Sequence, residues 1–312
     1  MTVSTERVLS PSDVAPILIR PFTGSANLSD YWALTKPEVN FLVAITTGAA
    51  FCLGSPTELS QVDWAGLLHT LLGTMAVASG AAVLNQWVEY PFDARMRRTA
   101  RRPIAAARID PSRALLFGIV LAVSGAGYLG LTVGGSSALF AVLTLAGYLM
   151  VYTPLKRISP ICTLVGALPG AAPTLIGWTA ARGSLDPQAW VMFAIVFLWQ
   201  FPHFMAIAWM YKDDYERAGY RVLPRGASKI GILALQTLIP LLVLLPVSMV
   251  AGRADPAHEL YMVASGLLAL VFTWVAARFI RLRTGQSARR LLLASILYLP
   301  ALLALMILFH AE

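Results

Sequence analysis

Apolar residues along this chain gather into long runs, each closed by a short polar stretch. The runs fall at roughly 39–54, 65–90, 114–133, 137–153, 161–181, 189–211, 230–251, 259–279 and 291–309. A helix needs ~20 mainly apolar residues to cross a bilayer, so the pattern predicts nine transmembrane helices. Ahead of them, Leu28 to Glu38 carries Asp30, Tyr31, Trp32, Lys36 and Pro37. It reads as an interfacial lead-in, because Tyr and Trp favour the headgroup level and proline suits a first helical turn. Residues 1–27 lack the basic start, apolar centre and cleavage site of a signal peptide. They are expected to form a mobile cytoplasmic tail, with residues 28–312 as a single transmembrane domain.

Composition supports the pattern. Charged residues make up 13% of the 312 and hydrophobic ones 57%, with a mean hydropathy of +0.68. A soluble globular chain carries about 25% charged residues. The formal charge of +8 does not signal nucleic acid, because the basic residues sit in short loops between spans. One set of loops holds Arg95, Arg97, Arg98, Arg101, Arg102, Arg108 and Arg113, then Lys156 and Arg157. It continues with Lys212, Arg217, Arg221, Arg225 and Lys229, then Arg278, Arg281, Arg283, Arg289 and Arg290. The opposite loops hold only Arg182 and Arg253. The asymmetry puts the N-terminus and the arginine-rich loops in the cytoplasm and the C-terminus outside, in an inner (plasma) membrane. The expected fold class is all-α: a polytopic membrane bundle of about nine helices around a central cavity opening near the cytoplasmic face. Cys52 and Cys162 both lie in apolar segments and read as small packing residues.

Two clusters interrupt this regularity at cytoplasmic span ends. In the first, Asn85, Glu89 and Asp93 recur every four residues, which places three oxygen-bearing side chains on one helix face. Arg97, Arg98, Arg101 and Arg102 follow. Magnesium prefers oxygen ligands and bridges carboxylates to substrate phosphates, while arginines bind phosphate. The bland alternative is a polar helix end capped by arginines. Pro91 should kink or end the helix just before Asp93.

The second cluster joins Trp199, Gln200 and His203, inside an apolar span, to Asp213, Asp214 and Arg217 just beyond it. Polar groups within a span are costly and ask for a function. A lone histidine is more often a packing residue, but this one shares its span with Gln200 and precedes an acidic pair. Asp213 and Asp214 are expected to form a second metal site facing the first, clamping a diphosphate as it leaves. A third patch, Tyr152 to Arg157, lies level with these; Lys156 and Arg157 are either topology determinants or phosphate ligands. Gly166 to Pro173 is small and proline-broken, suited to line a cavity. A polyanion held by metal and arginine above an apolar cavity fits a prenyl diphosphate, whose allylic cation the cavity would shield from water.

These residues resemble the UbiA superfamily of intramembrane prenyltransferases, and more narrowly its haem-farnesylating branch. The resemblance rests on Asn85-xxx-Glu89-xxx-Asp93 with Arg98 and Arg102, on Tyr152-Thr153-Pro154-Leu155-Lys156-Arg157, and on Gly170-xx-Pro173. Trp199-Gln200-x-Pro202-His203-Phe204 and Asp214-Tyr215-xx-Ala218-Gly219 are its most diagnostic parts. It covers the chain from Tyr31 to the last span. It implies transfer of a farnesyl group from farnesyl diphosphate to a vinyl group of haem B, with addition of water, giving haem O. Mg2+ would be held by Asn85, Glu89 and Asp93, with Asp213 and Asp214 at the second site. Arg97, Arg98, Arg102, Lys156 and Arg157 would bind the diphosphate, and His203 would contact the haem. Asn85, Glu89, Asp93, His203 and Asp214 form the implied catalytic set. The implied partners are the lipid bilayer and a downstream haem-modifying enzyme or terminal-oxidase assembly, with no nucleic acid. Where quinone-type members carry two aspartates at four-residue spacing, this chain has Tyr211 and Tyr215, and its acids are the adjacent Asp213 and Asp214. The rival readings are a prenyltransferase for an aromatic or quinone precursor and a membrane transporter. A transporter would place its polar groups near the midplane, whereas here they cluster at one face.

Overall fold

In the computed structural model, every apolar run identified above lies in a helix. The structure describes residues 26–56, 58–223, 229–251 and 258–309. The expected tail of residues 1–27 therefore falls almost wholly outside the described residues, as do Arg225 and Arg253. Among the described residues there is no strand, and nine helices are long and apolar enough to cross a membrane. The chain is an integral membrane protein.

A short helix α1 (Leu28–Leu34) leads into α2 (Pro37–Gly54), followed by α3 (Trp64–Asp93), α4 (Pro111–Thr132) and α5 (Gly135–Leu155). Next come α6 (Cys162–Arg182), α7 (Pro187–Met210), the short α8 (Lys212–Arg217), α9 (Lys229–Val250), α10 (His258–Leu282) and α11 (Gly285–Leu308). Several starts follow one local rule. Asp110 and Asp186 accept from backbone N–H groups of the first turn, and a proline at the first helical position follows each. An aspartate cap satisfies orphan donors, and proline gives up only an N–H that would be unpaired anyway.

The spanning helices close into a ring in chain order, with α11 returning against α2. Small residues allow close approaches. A Cβ on Gly80 would come within 2.6 Å of the Ala122 backbone nitrogen, and one on Gly125 within 2.7 Å of that of Val77. The backbones of α3 and α4 therefore touch, as lipid-embedded helices do when dispersion and packing drive association. Outward faces are apolar, with Leu131, Leu242 and Leu297 exposed.

Two expectations about proline need correcting. The helix α3 neither ends nor breaks before Asp93 but runs through Pro91 to it. Pro91 sits in the last turn, where it removes one hydrogen bond and the Ala94 N–H still reaches the Tyr90 carbonyl. Likewise α6 is continuous through Pro169 and Pro173. In place of a broken segment, α5 widens: residues Gly147–Tyr152 form a π-helical turn, a feature that recurs at functional sites.

Candidate active site

The structure brings most of the predicted chemistry onto the wall of one cavity of about 440 Å3. That volume lies within the range of about 300–1,000 Å3 usual for small-molecule sites. Its polar head sits at the end of the bundle that carries the arginine-rich loops. Its deeper wall is apolar, with Val77 and Ala78 of α3, Leu145 of α5, Ile176 of α6 and Val196 of α7.

The head begins with the stripe on α3. Asn85, Glu89 and Asp93 all line the cavity and are 1%, 7% and 1% exposed. Each is held by a neighbour of defined geometry. Asn85 Nδ2 donates to Thr153 Oγ1 at 3.1 Å, and Thr153 in turn donates to the Tyr148 carbonyl across the π-turn. That fixes the amide so that Asn85 Oδ1 faces Lys36, whose Nζ donates to it at 3.3 Å. Glu89 Oε1 pairs with Lys156 Nζ at 2.9 Å. Asp93 Oδ2 pairs with Arg102 at 2.7 Å, while Asp93 Oδ1 is buried with no partner.

A buried carboxylate oxygen without a donor is costly, and a metal ion is one group that would satisfy it. Among the described residues no three His, Cys, Asp or Glu side chains cluster. The oxygen set is two carboxylates and one amide. Such a set fits magnesium, which completes its shell with water and substrate phosphate.

Four cations line the head, Lys36, Arg98, Arg102 and Lys156, against the two carboxylates. The surplus positive charge favours a bound polyanion. Lys36 was not expected in the site. It takes a left-handed backbone (φ 50°) between α1 and α2, a conformation uncommon for a residue with a side chain. Its burial, together with nearby Arg102, lowers its ammonium to a pKa of about 7. Tyr148 and Tyr152 also line the cavity, with ring centroids 5.5 Å apart. Lys156 Nζ stands 4.5 Å from the Tyr152 ring. Tyr148, Tyr152 and Lys156 repeat the four-residue spacing of the α3 stripe, and that signal was legible in the sequence.

Other predicted residues lie elsewhere. Asp213 is exposed, and Asp214 accepts from the Arg98 backbone N–H at 3.2 Å and pairs with Arg217. Neither carboxylate is among the residues that line the cavity. Asp214 instead anchors the loop that presents Arg98, whose guanidinium lies 4.7 Å from the Tyr211 ring. Arg97 and Arg157 are exposed and do not line the cavity. Arg157 stacks over Phe92 at 4.1 Å.

On the opposite wall, α7 contributes Trp199, Gln200, His203 and Phe204. Trp199 and His203 stack with centroids 5.0 Å apart, and both bond to Ser295 of α11.

The fold and this head group define an intramembrane protein that binds an anionic, amphiphilic substrate. The chain belongs to the UbiA prenyltransferase family, whose signature matches residues 42–307. It is 45% identical to the protoheme IX farnesyltransferase of Solibacter usitatus (strain Ellin6076) over 287 residues, covering 90% of this chain and 98% of that one. It is 42% identical to the protoheme IX farnesyltransferase of Koribacter versatilis (strain Ellin345), covering 95% and 98%. Among solved structures, a UbiA homolog from Archaeoglobus fulgidus bound to GPP and Mg2+ shares the fold, with a TM-score of 0.61 at 13% identity, covering 89% of this chain and 99% of that one.

Proposed function

We propose that this protein transfers a farnesyl group from farnesyl diphosphate to a vinyl group of haem B, with addition of water, giving haem O. The observation that carries this reading is the convergence of Asn85, Glu89, Asp93 and four cations at the head of an apolar cavity. The acceptor comes from the similarity to protoheme IX farnesyltransferases over nearly the whole chain. Residues 28–312 act as one transferase domain. The loop charges orient it with the head at the cytoplasmic side of an inner membrane and the C-terminus outside. The product passes to a haem-modifying enzyme or a terminal-oxidase assembly.

In this reading the diphosphate lies among Lys36, Arg98, Arg102 and Lys156. Asn85, Glu89 and Asp93 would hold magnesium, which would supply Lewis-acid neutralisation of the diphosphate charge. As the bond from the farnesyl C1 to diphosphate oxygen lengthens, negative charge grows on the leaving group. The four cations are already in place to receive it, which is what lowers the barrier. Positive charge grows on the allylic carbons, and the faces of Tyr148 and Tyr152 stabilise it. The apolar wall keeps bulk water from the cation until the haem vinyl group attacks.

The test supplies the purified protein in lipid with farnesyl diphosphate and magnesium, offering haem B and an aromatic acid as competing acceptors. Haem O formation that a chelator abolishes and magnesium restores is expected. Prenylation of the aromatic acid without haem O would establish the rival reading.

A further inference from the structure

Two hydrogen-bond acceptors on the α7 wall of the cavity have no donor among the described residues. Gln200 gives both amide protons away: its Nε2 lies 3.2 Å from the Ala167 carbonyl and 3.0 Å from that of Val196. The amide is thereby fixed with Oε1 packed against Gly170 of α6, where any Cβ would collide with it. His203 is fixed in a different way. Its Nδ1 lies 2.8 Å from Ser295 Oγ, and that hydroxyl donates its single proton to the Leu292 carbonyl at 2.7 Å. Ser295 Oγ is therefore an acceptor toward the ring. With that proton on the Leu292 carbonyl, we assign the imidazole proton to Nδ1, and Nε2 keeps a free lone pair. Trp199 holds the ring from one side by stacking, and its own Nε1 donates to the Ser295 carbonyl at 2.8 Å.

Residues 200 and 203 are three apart on one helix, so they stand side by side on one face, and both line the cavity. Two unmatched acceptors in a mostly apolar wall are costly. A water within reach of both, with two protons to donate, would satisfy them.

Resting on the farnesyl-transfer reading above, we propose that Gln200 and His203 hold the water that is added to the haem vinyl group, with His203 Nε2 as the base that takes its proton. The terminal vinyl carbon forms a bond to farnesyl C1 as the C1–O bond to diphosphate breaks. The positive charge then rests on the vinyl carbon next to the porphyrin. The water, held through one O–H by Gln200 Oε1, forms the C–O bond with an oxygen lone pair. Its other O–H bond breaks, leaving its electrons on oxygen and its proton on Nε2. Haem B, farnesyl diphosphate and water thus give the hydroxylated farnesyl haem, diphosphate and a proton. Ser295 is a positioning residue, because it sets the tautomer that frees Nε2.

The experiment compares wild type, Gln200→Leu and His203→Ala with haem B and farnesyl diphosphate, reading product mass. The ratio of farnesyl haem carrying one added water to farnesyl haem lacking it should fall at least ~tenfold in each variant. The anhydro product is the alkene left when the cation loses a proton instead. Added imidazole should restore hydration in His203→Ala, a rescue that a purely structural role would not produce. A ratio unchanged from wild type in both variants would overturn the proposal. So would a His203→Ala protein that binds haem only when imidazole is added, which would mark His203 as an axial ligand. Absence of any farnesyl haem from wild type would overturn the transfer reading itself.

Discussion

Glu89 and Lys156 form a buried pair at the cavity head, and removing one partner leaves a charge in a poorly solvated place. Replacing Lys156 with Met should cost about 3–5 kcal/mol of stability, read as a fall in unfolding midpoint in detergent. The double variant Glu89→Gln/Lys156→Met should regain much of that stability without regaining transfer, because both diphosphate and metal contacts are gone. Lys36 differs, since its partner is the neutral Asn85 amide. Lys36→Met should leave the fold intact and raise the KM for farnesyl diphosphate ~10–100-fold, the equivalent of a lost charged hydrogen bond. The α3 stripe was legible because oxygen-bearing side chains every four residues in an apolar run are expensive unless a ligand offsets their desolvation. Lys36 was not, because a lysine just before a span looks the same whether it sets topology or points into a site. Its contact with Asn85, 49 positions away in sequence, exists only once α2 and α3 are packed. Asp214 was ambiguous for a related reason. An acidic residue beside arginines suits a metal site and a loop anchor equally, and the anchoring bonds to Arg98 and Arg217 appear only in the folded chain.

Among the helices, α3 and α4 cross with their backbones in close contact. Gly80 meets the Ala122 backbone with no room for a Cβ. Gly80→Leu should force the helices apart and destabilise the bundle by about 1–3 kcal/mol, the usual magnitude for overpacking. A lower thermal midpoint would record it. Activity should fall as well, because α3 carries Asn85, Glu89 and Asp93. The nine spans were legible as apolar runs, since length and hydropathy decide whether a segment can cross a bilayer. Helix continuity was not. Pro91, Pro169 and Pro173 all sit within unbroken helices, because tertiary packing in a bundle outweighs the loss of single hydrogen bonds. The π-turn at Gly147–Tyr152 has no sequence marker comparable to proline, yet it supplies the Tyr148 carbonyl that orients Thr153 and, through it, Asn85.

The whole molecule joins two solvents in one cavity. At the head, charged groups from α3, the 94–110 loop and the end of α5 converge, while five helices supply the apolar wall below. Loop charges predicted which end would carry the chemistry, and the polar groups of the cavity head lie there. Sequence could not show that α3 and α7 line the same space, because three other spans lie between them in the chain and only ring closure brings them together. In the proposed reaction, transfer to haem depends above all on Asp93, whose unpartnered Oδ1 would help hold the metal. Mass analysis of the haems formed by wild-type and Asp93→Asn protein, in membranes given haem B, farnesyl diphosphate and magnesium, probes that dependence without intermediaries. Wild type should yield haem O, and Asp93→Asn at least ~100-fold less at equal membrane abundance, a loss of ~2.7 kcal/mol or more of transition-state stabilisation. Turnover by Asp93→Asn at the wild-type rate would refute the role given to this carboxylate.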